Sequence, residues 1–360
     1  MPNGILIVDK PAGWTSQDVA AKLRGVFHEK RVGHGGTLDP MATGVLPIFL
    51  GRATRAVPFF EHADKVYEAV LRLGLVTDTQ DTTGRVLEEH PVDITQEQLE
   101  AVLPRFRGPI QQIPPMYSAV KVNGQKLYAL ARKGQEVERE ARTVVIHSLE
   151  GSRIKDQGSG NAGEMQNAEC RMQNDAWADG RVPSLQADAD LEGSRIKDQG
   201  SGSAGEMQNA ECRMQNDPCA DGRVPSLQTD YLLRVHCSKG TYVRTLCHDI
   251  GAALGCGGCM AALRRTRAGR YGIEQAHSLD EILADPNPER FLLPVDSLFA
   301  DRPRCTINEA GEKKLRNGAS LRTGKLADGE YRVYGPGGDF LALCAVSHGE
   351  LTTIKSFFEL

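Results

Sequence analysis

Residues 33–44 read GHGGTLDPMATG: four glycines, one histidine and one aspartate, with no lysine or arginine. A glycine-rich loop that cradles phosphate needs a cation, and the GK[ST] of a phosphate-binding loop is missing here. What the stretch offers instead is one carboxylate, Asp39, among bare backbone. Two readings stand side by side. Asp before Pro is a good helix start, with Asp39 as N-cap and Pro40 as the first helical residue. Alternatively, the glycines admit a large planar substrate and Asp39 is its nucleophile, which a carboxylate can be if it stays ionised in a semi-buried site.

Further candidates lie elsewhere in the chain. Arg244 falls in the first turn of a helix that follows SKG. The helix dipole disfavours a cation there by roughly a few tenths of a kcal/mol. Lys239 sits at the same end, so the pair suggests an anion between them, either carboxylate or phosphate; two solvated surface charges are the alternative. A guanidinium beside Asp39 would lower its pKa by about 1–3 and hold it ionised at neutral pH. Tyr67 lies on the apolar side of a strand, as a core tyrosine or as a ring that stacks on a base with its hydroxyl near the reacting atoms. His34, between glycines, is placed to be accessible and to stack or hydrogen-bond.

Other motifs point nowhere. The CGGC of 256–259 has no second CxxC and no matching histidine pair. No GxGxxG follows a strand to open a helix. Neither a metal nor a nucleotide cofactor is expected.

The elements that must carry these residues are mixed α and β. ILIV (5–8) is a short buried strand. Thr15 and Asp18 form a capping box ahead of Val19, Leu23, Val26 and Phe27. KVYEAVLRLG alternates, with Tyr67, Ala69, Leu71 and Leu73 on one face. Thr95 and Gln98 form a second capping box. GTYVRTLCHDIGAALG is a helix with Val243, Leu246, Ile250 and Leu254 in one stripe and Gly255 past its end. After residue 299 the pattern changes to a short helix near 308–316 and three strands, EYRVY, DFLALCAV and LTTIKSF. This predicts a domain over 1–299 followed by a small β-rich one over 300–360.

One internal repeat interrupts the first domain. Leu149–Gln186 recurs as Leu191–Gln228, and only three of the 38 pairs differ: Asn161/Ser203, Ala176/Pro218 and Trp177/Cys219. Both copies are polar and lack a helical or strand period, and two copies are too few for a solenoid. The stretch 149–230 therefore reads as a duplicated, poorly ordered insertion at a hairpin tip, joining ARTVVIHS to YLLRVHCSKGTYVRT. It holds 15 Asp/Glu against 8 Lys/Arg, a net of −7; with −4 for the whole chain, the remainder carries +3. RRTRAGR (264–270) is the densest basic patch, which permits a nucleic-acid partner. No run of 18 apolar residues and no N-terminal signal pattern are present, so no membrane span is expected. With nine cysteines, an odd number irregularly spaced, this suggests reduced thiols in the cytoplasm.

Together these segments resemble the TruB family of tRNA pseudouridine synthases over nearly the whole chain outside the insertion. GILIVDKPAGWTSQDV is similar to the family's N-terminal motif and RVGHGGTLDPMATGVLPIFLGRATR to its catalytic motif, which puts the nucleophilic aspartate on Asp39. KVYEAVLRLGLVTDTQDTTG puts the active-site tyrosine on Tyr67, CSKGTYVRTLCHDIG the arginine on Arg244, and LRRTRAG the base-packing leucine on Leu263. Residues 111–138 resemble a thumb that grips the T-arm of tRNA, and the tail resembles a PUA-like RNA-binding domain. The resemblance implies an α+β pseudouridine synthase fold: a central mixed, mainly antiparallel sheet flanked by helices, with a small β-rich PUA-like C-terminal domain. It implies a monomeric, cofactor-free isomerase that converts the T-loop uridine at tRNA position 55 to pseudouridine after flipping it out, with His34, Tyr67, Arg244, Leu263 and Lys239 around the substrate. The alternatives are a tRNA-binding or tRNA-folding chaperone and the catalytic subunit of a guide-RNA-dependent synthase; against the latter, no long basic tail is present.

Overall fold

The computed structural model describes residues 2–154 and 228–359, apart from 119, 123 and 325. Nineteen strands are numbered in chain order: β1 Gly4–Lys10, β2 Val32–His34, β3 Thr43–Leu50, β4 Lys65–Leu73, β5 Leu75–Thr77, β6 Val86–Glu89, β7 Gly108–Gln112, β8 Lys121–Val122, β9 Gln125–Lys126, β10 Arg142–Arg153, β11 Thr229–Cys237, β12 Gly258–Ala268, β13 Tyr271–Gly272, β14 His277–Ser278, β15 Arg304–Thr306, β16 Leu321–Arg322, β17 Gly329–Tyr334, β18 Phe340–Ser347 and β19 Glu350–Ser356. Ten of them form one sheet with the path β14-β1-β3-β12-β4-β11-β10-β7, to which β2 adds beside β3 and β13 beside β12. It is mixed but mainly antiparallel; the parallel pairs are β1 with β14 and β12 with β3. A second, five-stranded sheet has the order β15-β17-β18-β19-β16. The architecture is α+β.

The apolar patterns explain why the centre of the sheet is covered twice. On β1, Leu6 and Val8 join the cluster beneath the helices Ser16–Val26 and Val243–Leu254, whereas Ile5 and Ile7 join one on the opposite face. The second cluster takes in Phe49 and Phe60 and, from the second sheet, Leu343, together with Phe357 just past β19. A strand buried on both sides reads as a continuous apolar run, as ILIV does. β4 is one-sided in the first cluster: Tyr67, Ala69, Leu71 and Leu73 all face it. Both capping boxes form. Thr15 Oγ1 accepts from the Asp18 amide while the Asp18 carboxylate accepts from the Thr15 amide, and Thr95 and Gln98 do the same at the Gln96–Val102 helix.

Two local expectations change. Leu38-Asp39-Pro40 does not start a helix; the Ala42 amide donates to the Asp39 carbonyl and closes a turn that leads straight into β3. RRTRAGR is only half open: Arg267 and Arg270 are exposed, the other two arginines are not. It lies on β12 and beyond it, and strand alternation turns Arg265 into the core while Arg264 forms a bidentate pair with Asp9. The CGGC segment is a tight connection from helix to strand, packed so closely on the helix that a Cβ on Gly251 would lie 2.3 Å from the Gly258 amide nitrogen. Its two cysteines are buried and unpaired.

The repeat also needs new limits. Its first residues, 149–153, belong to β10, with Leu149 buried in the core, and Asp230 on β11 receives a two-pronged hydrogen bond from Arg72 at 2.9 and 2.7 Å. The sequence shows no alternation across this stretch because only the few residues next to the hairpin carry it. The remainder of the expected insertion, 155–227, lies outside the described residues. β10 and β11 pair directly up to Arg153↔Tyr231, so a short turn can close them. Replacing 155–227 by a turn of about four residues is expected to leave the melting temperature unchanged or slightly higher, since four halvings of loop length lower the closure cost by about 2.4 kcal/mol. Thermal denaturation of this variant checks it; a fall of more than about 5 °C contradicts it.

Candidate active site

Asp39 is held by its neighbours' backbone. Ser16, the first residue of its helix, accepts from the Leu38 amide at 2.8 Å and donates to the Leu38 carbonyl at 3.3 Å. The Pro40 carbonyl accepts from the Gly13 amide at 2.8 Å and from Lys10 Nζ at 3.2 Å. Lys10 has no solvent exposure and also donates to the carbonyls of Pro11 and Trp14. The segment DKPAGWTS thus acts as a clamp on both sides of the aspartate. Two of the glycines make close packing possible within the protein: a Cβ on Gly35 would lie 2.5 Å from the Phe60 ring, and one on Gly44, where φ is +99°, would lie 2.2 Å from the Arg265 carbonyl oxygen.

Arg244, 6 % exposed, is where four segments meet. Its Nε lies 3.0 Å from Asp39 Oδ2 and its Nη2 3.4 Å from Asp39 Oδ1. Nη2 also donates to the Tyr117 carbonyl at 2.8 Å, and Nη1 to the Thr79 carbonyl at 3.3 Å and to Asp81 Oδ2 at 3.4 Å. Asp81, itself buried, is locked by the hydroxyls of Thr79 and Thr83 and by the Thr83 amide at 2.6–3.0 Å. From β7, the Gln112 side chain ties down the start of the Arg244 helix by accepting from the Tyr242 amide and donating to the Tyr242 carbonyl. The cation that is misplaced for the helix dipole is thereby matched by two carboxylates and two carbonyls.

Tyr67 on β4 and Leu263 on β12 are each 8 % exposed and share the core cluster with Leu38 and Ala42 from the Asp39 turn. His34 closes β2 and is half-buried rather than open; burial, and then Arg265, lower its pKa, so the ring is neutral at pH 7. Lys239 is not part of the Asp39 contact set. It is exposed, with Nζ 2.7 Å from His62 Nδ1. The anions that Arg244 meets are therefore Asp39 and Asp81, without Lys239. Lys10, Asp81 and Arg265 escaped the sequence reading. Asp81 had a signal in the turn-rich DTQDTTG; the other two are placed by strands distant in sequence.

The electrostatics also differ from expectation. The Asp39 carboxyl is raised above the ordinary aspartate range, because burial outweighs Arg244; Asp81 adds to the rise and Lys10 opposes it. Arg244 therefore limits an upward shift instead of producing a downward one. Tyr67 is raised too, by burial first, with Arg265 opposing, so the phenol keeps its proton at neutral pH. Burial lowers Lys10 to about 8. The Asp39 side chain nevertheless remains 36 % exposed, open to an incoming group. A carboxylate aimed by a bidentate guanidinium, beside a protonated phenol and an apolar wall, is equipped to attack an electron-poor carbon next to a planar ring.

Among the described residues, one group could ligate a metal ion: Asp64, His147 and His236, on the sheet face opposite Tyr67. Asp64 Oδ2 lies 3.3 Å from His147 Nε2 and 3.9 Å from His236 Nε2, and an Arg267 guanidinium nitrogen stands 3.5 Å from that same His236 atom. With an arginine already beside a ligand atom, the group is better described as one carboxylate shared by two imidazoles. No helix among the described residues is long and apolar enough to cross a membrane.

Residues 24–172 match the model of the TruB family pseudouridylate synthase N-terminal domain, and residues 244–300 match that of the tRNA pseudouridylate synthase B C-terminal domain. Proteins named tRNA pseudouridine synthase B are similar along nearly their full length. The one from Azoarcus sp. (strain BH72) is 37 % identical over 97 % of this chain and 93 % of its own, and the one from Syntrophomonas wolfei is 38 % identical over 98 % and 96 %. Among solved structures, a chain of a Cbf5–Nop10–Gar1 complex superposes with a TM-score of 0.60 at 22 % identity, covering 99 % of this chain and 85 % of that one. A chain of an H/ACA RNP bound to a substrate RNA containing 2′-deoxyuridine gives 0.60 at 20 % identity, covering 99 % and 86 %; at these identities the likeness speaks for the fold alone. The chain belongs to the TruB family of pseudouridylate synthases.

Proposed function

We propose that this protein is a tRNA pseudouridine synthase acting on the T-loop uridine at position 55, with Asp39 as its nucleophile. The observation that carries this reading is the bidentate Arg244–Asp39 pair, whose carboxylate stays partly open while Tyr67 and Leu263 pack in the core cluster that also holds the residues flanking it. The reaction is an isomerisation: the N1–C1′ bond breaks, the uracil turns, C5 bonds to C1′, and the proton on C5 is lost while N1 gains one. It consumes no reductant and no phosphate. Asp39 attacks the base or the ribose carbon; both fit a partly open carboxylate paired with a guanidinium.

The target uridine starts inside a folded loop, so it has to be flipped out, at a cost of a few kcal/mol. Stacking on Tyr67 returns about 1–3 kcal/mol, with Leu263 as the apolar wall behind the base and His34 filling the space it leaves. The neutral His34 ring suits that role, because a charged one would resist burial against a base. Lys239, exposed beside His62, is assigned to the RNA backbone rather than to the base. Residues 1–299 form the catalytic domain in this reading, and 300–360 a PUA-like RNA-binding domain.

Carbodiimide-primer extension on an unmodified tRNA tests the activity. Wild-type protein, without any guide RNA, is expected to give a stop in the T-loop, and Asp39→Asn to give none, a loss on the order of 10⁴-fold or more. Asp39→Asn should also melt within about 3 °C of wild type. The raised Asp39 pKa means that the folded state holds this proton more tightly than the unfolded one, so the stability contributed by the protonated form is lost as pH rises through the raised value. A full-strength stop from Asp39→Asn, or a stop that appears only with a guide, contradicts the assignment.

A second expectation concerns the shape of the cation. A lysine is a point charge that cannot reach Asp39, Asp81, Thr79 and Tyr117 together. Arg244→Lys is expected to lower the single-turnover rate by about 100-fold while tRNA affinity changes less than about threefold. Rapid-quench kinetics with filter binding separate the two; an effect confined to affinity would show that Arg244 serves RNA binding instead.

A further inference from the structure

Arg265 has the largest of the fully buried side chains and is 1 % exposed. Its Nε donates to the Val45 carbonyl at 2.7 Å and its Nη2 to the Gly36 carbonyl at 3.3 Å. Both are backbone acceptors; neither is a carboxylate. A buried guanidinium held only by neutral oxygens is costly, and two more buried cations, Lys10 and Lys65, lie close enough for Arg265 to lower the pKa of each. As a device for stability this grouping makes little sense. Its position explains it better.

β12 runs between the two strands that carry the chemistry. Arg265 is in register with Tyr67 on β4 and with Gly44 on β3, the strand that leaves the Asp39 turn. The contact with β3 is so close that only glycine fits at 44. Immediately after Arg265 the pairing with β4 slips by one residue, so that Arg265 meets Tyr67 and Arg267 meets Val66; such a bulge re-aims side chains. The guanidinium therefore ties the Gly36 end of the Asp39 loop to the start of β3, with Tyr67 directly opposite Arg265 on β4.

We infer that Arg265 is a positioning residue for the isomerisation: it fixes the Asp39 loop and the Tyr67 phenol in one register and acts on the base through that phenol. The inference rests on the function proposed above. Arg265 lies directly across the β12–β4 pair from Tyr67, near enough for its charge to oppose the burial that raises the phenol, and the phenol's own proton is left for the base. As the N1–C1′ bond breaks, the uracil keeps the electron pair, and an O–H polarised from behind by a buried cation is a stronger donor to the charge that develops on the ring.

A double-mutant cycle with Arg265→Lys and Tyr67→Phe tests this. Arg265→Lys should slow single turnover about 10–100-fold and change tRNA affinity less than about threefold. In the Tyr67→Phe background the same substitution should slow the rate less than about threefold further, because its target is gone. Multiplicative losses, a loss confined to affinity, or a wild-type rate for Arg265→Lys would overturn the inference. Nitrogen-15 NMR of the intact enzyme covers the case in which the variant does not fold: an Arg265 Nε–H clamped on Val45 should exchange slowly with solvent, and fast exchange would overturn the inference as well. Wild-type protein that makes no pseudouridine would instead remove the function on which it rests.

Discussion

A guanidinium taken out of water has five N–H groups to satisfy, and Arg244 satisfies its own by drawing acceptors from three other segments. The Asp39 turn, the Thr79–Asp81 loop and the stretch around Tyr117 each send it an oxygen. Two of these segments are anchored separately, the turn by Ser16 and Lys10 and the Asp81 loop by its own threonines, and Gln112 anchors the start of the Arg244 helix itself. Because those anchors are rigid, the guanidinium cannot follow one acceptor without losing another. This constraint aims the carboxylate and leaves one of its edges open.

The charge around the site is set in layers. Burial works against ionisation of Asp39, and Arg244 and Lys10 oppose that effect. Beneath them, Arg265 imposes a positive field on Lys10, Lys65, His34 and Tyr67. A site in which negative charge moves from a carboxylate to a heterocycle gains from fixed positive charge that does not need to reorganise. The same arrangement costs stability, as active sites commonly do, and the continuous apolar clusters on both faces of the central sheet offset it.

Much of this was legible in the sequence wherever the signal is local. Both capping boxes, the alternation of Tyr67–Leu73 and the stripe of the Arg244 helix depend on residues a few positions apart. Asp39-Pro40 misled because the same two residue types suit the start of a helix and the first two positions of a turn; the β-strand that follows decides between them. RRTRAGR misled because composition counts charges while a strand sorts them by side. Lys10 and Arg265 were invisible because their partners are set by strand register across 30 to about 230 residues, and the upward direction of the Asp39 pKa because burial is a property of the fold. The boundaries of the repeat failed for a simpler reason: its first residues serve as strand, and the duplicate copy of a strand end looks the same in sequence.

The balance between burial and the guanidinium at Asp39 can be read directly by following the Asp39 carboxyl carbon through a pH titration by carbon-13 NMR, in wild-type protein and in Arg244→Met. The wild-type midpoint should lie above the ordinary aspartate value of about 3.9, and removing the cation should move it higher still. A wild-type midpoint at or below the ordinary value, or one that does not move when Arg244 is replaced, would contradict the account.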